Sequence, residues 1–233
     1  MATVVSDFNT LCTKAEGRDK LARLFQYAAR ALVGFLGMAR PKADSSLAQL
    51  ELNARTAMVQ LASARRTHRW CKEFPVIQSI PATLKIANPV DLVLELFQKV
   101  SLATFMLIDH VGHMKQWKLI PGGKRSGSGT IQLGLKFFCF SNAIAALVQS
   151  KKIMSSWGNQ DEKAKAARSK STETLVKHLL LVLQTAHLSR LYESHDALVG
   201  VAGVVTSWMD VTGQWPAKPA PKALSPDAKE KAK

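Results

Sequence analysis

Residues 17–40 read GRDKLARLFQYAARALVGFLGMAR, and how this stretch is read decides the fold. At about 100° per residue, the helical step, Leu21, Leu24, Phe25, Ala28, Leu32, Phe35, Leu36 and Ala39 fall on one side, with Asp19, Arg23, Gln26 and Arg30 opposite. A continuous apolar face with a cationic back suits a lipid headgroup boundary, and it equally suits a helix packed on its own domain. In the membrane reading Leu21, Leu24, Phe25, Leu32, Phe35 and Leu36 insert, while Lys20, Arg23 and Arg30 stay with the headgroups.

Outward from this stretch, helix signals dominate and no alternating Val/Ile runs mark strands, which predicts an all-α chain. Arg40-Pro41 ends the opening helix, because proline disfavours helical geometry in the residue before it. Ser45 or Ser46 caps a second helix to about Lys72, whose last turns gather Arg65, Arg66, Arg69 and Lys72 where the helix dipole favours cations. Asn88-Pro89-Val90-Asp91 supplies an N-cap, a first-turn proline and an acidic third position, so a long helix starts there. Residues 121–129, PGGKRSGSG, form a turn; they lack the preceding strand and the Gly-Lys-Ser/Thr ending of a phosphate loop.

From Thr130 an almost uncharged segment predicts a helix that is buried or in contact with a bilayer. Residues 157–170 are charged and read as a solvated helix face or loop, and apolar periodicity resumes over 175–191. Ser194-His195-Asp196 caps a last helix. Its apolar run at 197–209, with Gly200 and Gly203 for close helix packing and Trp208 and Trp215 at headgroup level, makes it the preferred candidate to span a membrane. Asp210 would then be accommodated near one end by snorkelling or at an interface. The turn at 115–125 and the segment at 151–170 are both basic, so at least one of the helices at 91–112 and 130–149 lies in the plane or inside a bundle. The expected architecture is a membrane-associated helical bundle over 1–215, with one or two hydrophobic helices in or across the bilayer, followed by a disordered Lys/Pro/Ala-rich tail at 216–233.

The formal charge of +15 and a pI near 10.0 call for an anionic partner. The arginines are interleaved with apolar residues along helices, and the aromatic residues sit mostly in apolar segments rather than beside basic clusters. No helix-turn-helix or zinc-finger signature occurs, so anionic membrane lipids are the expected partner and nucleic acid is not, with a soluble basic helical nucleic-acid binder kept as the less favoured alternative. Three cysteines without a C-x-x-C pair support neither a disulfide framework nor a thiolate zinc site. The first twenty residues carry Asp7, Glu16 and Asp19 and read as neither secretory signal nor transit peptide, which places any targeting information internally. Asp109, His110 and His113 lack a third and fourth ligand at metal spacing, and no Ser, Cys or carboxylate is spaced as a nucleophile with His178, His187 or His195. No metal, cofactor or enzymatic activity is expected.

These landmarks carry a resemblance. Gly17-Arg18-Asp19-Lys20-Leu21, with Arg23-Leu24 and Gln26-Tyr27, resembles the amphipathic opening helix of the peroxin-11 family of peroxisomal membrane-remodelling proteins, which includes the glycosomal membrane proteins of kinetoplastids. Arg65-Arg66 with Arg69 resembles that family's second basic helix, and Leu107-Ile108-Asp109-His110 its central Asp-His segment. Gly200-Val201-Ala202-Gly203 with Ser207 and Trp215 resembles its C-terminal Gly-rich helix. The resemblance implies a peroxisomal or glycosomal membrane protein that inserts an amphipathic helix, elongates the organelle before fission and self-associates. It also brings a second expectation, an oligomeric metabolite pore lined by Ser101, Thr104 and Asp109. The sequence ends Lys229-Glu230-Lys231-Ala232-Lys233, similar to a cytosolic dilysine signal read by coat proteins, although a lysine-rich solvated tail accounts for it as well. Both termini are expected in the cytosol, with fission machinery or coat proteins as further partners.

Overall fold

The computed structural model describes residues 2–216, and the lysine-rich tail expected to be disordered, with its dilysine ending, lies outside them. Among the described residues the chain is all helical. α1 (Ala2–Thr13) is a short lead whose Leu11 is buried against Gly17, where a Cβ would sit 2.0 Å from the Leu11 carbonyl oxygen. α2 (Ala15–Ala39) is the opening amphipathic helix, stopped by Arg40 in the left-handed region at φ 46°. α3 (Ser46–Thr67) starts on Ser45, whose hydroxyl accepts from the Ala48 amide, and ends five residues before Lys72, short of the expected boundary. Cys71 at φ 65° turns the chain there, so Arg69 and Lys72 lie beyond the helix.

Two short helices, α4 (Glu73–Gln78) and α5 (Ile80–Thr83), pack on α6 (Pro89–Gln116). Asn88 starts α6 by accepting from the Val90 and Asp91 amides. α7 (Gly127–Ser155) is capped by Ser126, and α8 (Glu162–Leu188) takes up most of the charged segment at 157–170 as its exposed first turns. α9 (Asp196–Gln214) is capped by His195, whose Nδ1 accepts from the Ala197 amide.

The six long helices close into a ring in the order α3, α2, α9, α8, α7, α6. The α6–α7 and α2–α9 pairs pack most extensively, and the seam that returns from α6 to α3 is the thinnest. Among the described residues one helix, α7, is long and apolar enough to cross a membrane. The preferred C-terminal helix, α9, falls short of that measure, and its Asp210 does not snorkel to an interface but is turned inward, 8% exposed, into the body of the ring.

Candidate functional site

Three helices of the ring, α2, α6 and α9, turn polar residues inward and large apolar residues outward. On α2 the polar residues Asp19, Arg23 and Gln26 are 3 to 7% exposed, whereas Phe25 is 62%, Phe35 51% and Met38 54% exposed. α9 turns Gly200, Gly203, Thr206, Ser207 and Asp210 inward and leaves Leu198, Val201, Val205 and Trp208 outside. On α6 an exposed stripe of Val90, Val93, Phe97, Val100, Leu107 and Val111 recurs at steps of three, four or seven residues, while Ser101, Asp109 and His113 are buried. Exposed apolar area on this scale is unfavourable in water and favourable in hydrocarbon. Ionisable groups that face a bundle's interior and pair there are the pattern membrane helices use.

Glycine makes the interior reachable. A Cβ on Gly200 would lie 2.3 Å from the Ala31 nitrogen, and one on Gly203 would lie 2.0 Å from Cδ1 of Tyr27, so only hydrogen lets α9 approach α2 this closely. The approach carries Asp210 onto the charged back of α2. Its carboxylate accepts from Lys20 Nζ at 3.1 Å, from Arg23 Nη1 at 2.9 Å and from Lys177 of α8. Arg23 Nη2 also donates to Gln184 Oε1 at 3.1 Å and to Thr206 Oγ1 at 2.9 Å. Two turns further along α2, Arg30 pairs with Asp196 at the start of α9.

The other side of the interior belongs to the end of α3. Arg65 donates from Nε to Asp19 at 3.1 Å and from Nη1 to Gln26 Oε1 at 2.6 Å. Arg66 and Arg69 stand 3.5 and 3.2 Å from the two carboxylate oxygens of Asp109 and so hold the thin seam to α6. Lys72 is 3.9 Å from Asp19. Burial, with the Arg69 guanidinium next to it, pushes Arg65 down to about 10, which leaves it cationic at neutral pH. His110 lies 3.7 Å from Glu73, and His113, 1% exposed, packs on the Trp117 ring. Arg65, Arg66, Arg69, Lys72, Asp19 and Asp109 line a partly open cavity of about 420 Å³ walled by α2, α3, α6, α7 and α8.

The residues singled out from sequence therefore part company. Phe25, Leu32 and Phe35 are on the outer face, while Leu21, Leu24 and Leu36 are half-buried at its edges. Of the cations expected among headgroups, Lys20 and Arg23 pair with Asp210 inside the ring, and Arg30 pairs with the part-exposed Asp196 at the start of α9. Ser101 and Asp109 line the interior of a single chain, and Asp109 is neutralised by two arginines. Sequence reasoning missed Asp19, Gln184, Thr206 and Asp210 as partners. The available signal was Asp210 standing seven residues after Gly203 on the small-residue face of an otherwise apolar run.

No curated protein and no solved structure gives a significant match to the chain. A family model, Peroxisomal biogenesis factor 11 (PEX11), matches residues 5–215, from within α1 to the residue after α9. That family comprises biogenesis factors rather than enzymes. A match over the whole ring, together with its apolar exterior, establishes that the chain belongs to the peroxisomal biogenesis factor 11 family, as a peroxisomal membrane protein involved in peroxisome proliferation.

Proposed function

We propose that the chain curves and elongates the peroxisomal or glycosomal membrane by seating the outer face of α2 in one leaflet, which expands that leaflet against the other before fission. The observation that carries this reading is the orientation of α2: its charges are satisfied inside the ring and its large apolar side chains point away from the protein. Burying Phe25, Leu32, Phe35 and Met38 in hydrocarbon gives a gross upper bound of about 6 to 12 kcal/mol at about 1.5 to 3 kcal/mol each, before ordering costs. Because Arg23 and Arg30 are already paired, preference for anionic lipid falls to exposed cations such as Arg40 and Lys42 at the end of α2, at about 1 kcal/mol each. Added salt then weakens membrane binding without abolishing it.

The test uses the full chain on anionic vesicles. Leu24 is half-buried, so a charge there would disturb packing as well as insertion; Phe25→Glu with Phe35→Glu alters the outer face alone. The double variant is expected to keep wild-type helix content and elution in detergent and to stop tubulating vesicles. Wild-type tubulation by that variant would defeat the reading.

The lysine-rich tail, costly to translocate, supports cytosolic termini, so protease on intact organelles should remove a tag at either end. Self-association, contact with fission machinery and coat binding through the dilysine ending belong to the same proposal. The interior cavity gives the pore reading a foothold, and its polar lining comes from five helices of one chain. Solute flux without deformation, in the Phe25→Glu, Phe35→Glu vesicles, would favour a pore.

A further inference from the structure

The interior carries more positive charge than its carboxylates balance. Seven of the side chains lining the cavity are basic and three are acidic. The carboxylates are shared: Asp210 serves Lys20, Arg23 and Lys177, Asp19 serves Arg65 and Lys72, and Asp109 serves Arg66 and Arg69. Arg30 has Asp196, and Glu16, whose side chain is 54% exposed, stands 3.9 Å from Lys20. Uncompensated charge inside a bundle is costly, and an anion brought between the guanidinium groups relieves that cost.

The imbalance is concentrated at the end of α3. Arg69 Nε is buried and, among the described residues, has no hydrogen-bond partner, and Arg66 Nε is buried with a long 3.5 Å contact to Asp109 Oδ1. Arg65, in the last turn of α3, and Arg69, just past its end, both line the same cavity. The lowered position of Arg65, with the Arg69 charge among its causes, agrees with crowding of like charge. Planar guanidinium forks match the tetrahedral oxygens of a phosphate group, each taking up two oxygens side by side. The volume exceeds what one water needs and falls in the range of small-ligand sites.

We infer that this cavity is a binding site for a phosphate-bearing anion, held by Arg65, Arg66 and Arg69 with Asp109 as the internal carboxylate that occupies two of the guanidinium groups in its absence. The chemistry is common to a free phosphate or phosphomonoester and to the phosphomonoester headgroup of an acidic lipid entering from the bilayer. The inference is independent of the wedge, since it concerns the inside of the ring.

The test places the full chain in phosphatidylcholine nanodiscs, where no curvature is read, and follows thermal unfolding. The probes are inorganic phosphate, glycerol phosphate and, in separate discs, phosphatidic acid, each against chloride at matched ionic strength. Saturable stabilisation by at least one probe is expected; response to phosphatidic acid alone assigns a headgroup, and response to the soluble probes assigns a solute. Arg66→Gln should weaken the apparent affinity by roughly tenfold or more, the size of a lost charge-assisted hydrogen bond. Asp109→Asn should strengthen it, because both guanidinium groups lose their internal competitor. That variant keeps the proposal exposed if Arg66→Gln fails to fold, since a purely structural Asp109 would give weaker or unchanged binding. Absence of saturable stabilisation by all three probes, or loss of binding in Asp109→Asn, overturns the inference.

Discussion

Asp210, its side chain 7% exposed, is the point at which three helices settle their charges, since Lys20 and Arg23 of α2 and Lys177 of α8 all donate to it. Removing one partner from a buried set strands the others, so Asp210→Asn is expected to cost about 3 to 5 kcal/mol of unfolding free energy in detergent. The surface pair of Asp91 and Lys151, with side chains 40 and 44% exposed, is the control: Asp91→Asn should cost less than about 1 kcal/mol. Equal shifts in the two denaturant titrations would deny Asp210 its central place. Little of this was legible beforehand. Arg23 and Asp210 are 187 residues apart, and no local pattern announces a partner at that distance. An aspartate near the end of an apolar helix has two readings from sequence, a polar end that snorkels and an inward partner, and only the helix packed against it distinguishes them.

Between elements, the α2–α9 contact rests on absent side chains. A Cβ at Gly200 would meet the backbone of Ala31 at 2.3 Å, and backbone cannot rotate away as a flexible side chain can. Gly200→Val is therefore expected to push α9 outward, lengthen the Arg23 to Asp210 pair and lower the melting temperature in detergent, by the equivalent of about 1 to 3 kcal/mol or more for overpacking. Val201→Leu, one residue on and facing out, should cost under about 1.5 kcal/mol. A melting temperature for Gly200→Val equal to wild type would mean that the close approach contributes nothing. At this scale the sequence was more readable. The Asn88-Pro89 start of α6, the Ser45 start of α3 and the Arg40-Pro41 break all rest on contacts within a few residues, which local chemistry determines. The early end of α3 was not readable, because Arg69 and Lys72, which continue its helical pattern, meet Asp109 and Asp19 of other helices.

For the whole molecule, periodicity gives a helix a polar side and an apolar side and leaves open which of them meets the protein. The same α2 pattern would serve a soluble bundle with Phe25 and Phe35 in the core. Here α2 is turned the other way, with Asp19, Arg23 and Gln26 inside and Phe25 and Phe35 outside. Such a ring is not equally strong around its circumference. α9 buries nine residues, several of them on α2, whereas α3 buries only Ala54 and meets α6 chiefly through Arg66, Arg69 and Asp109. Elements with few buried contacts open first, so hydrogen exchange followed by mass spectrometry in detergent should find α3 losing protection well before α9. The seam between α3 and α6 would then be the natural entrance to the charged interior, since opening it requires no separation of the glycine-packed α2 and α9. Exchange in α9 that precedes or matches exchange in α3 would reverse this order and put the weak point of the ring at the Asp210 cluster instead.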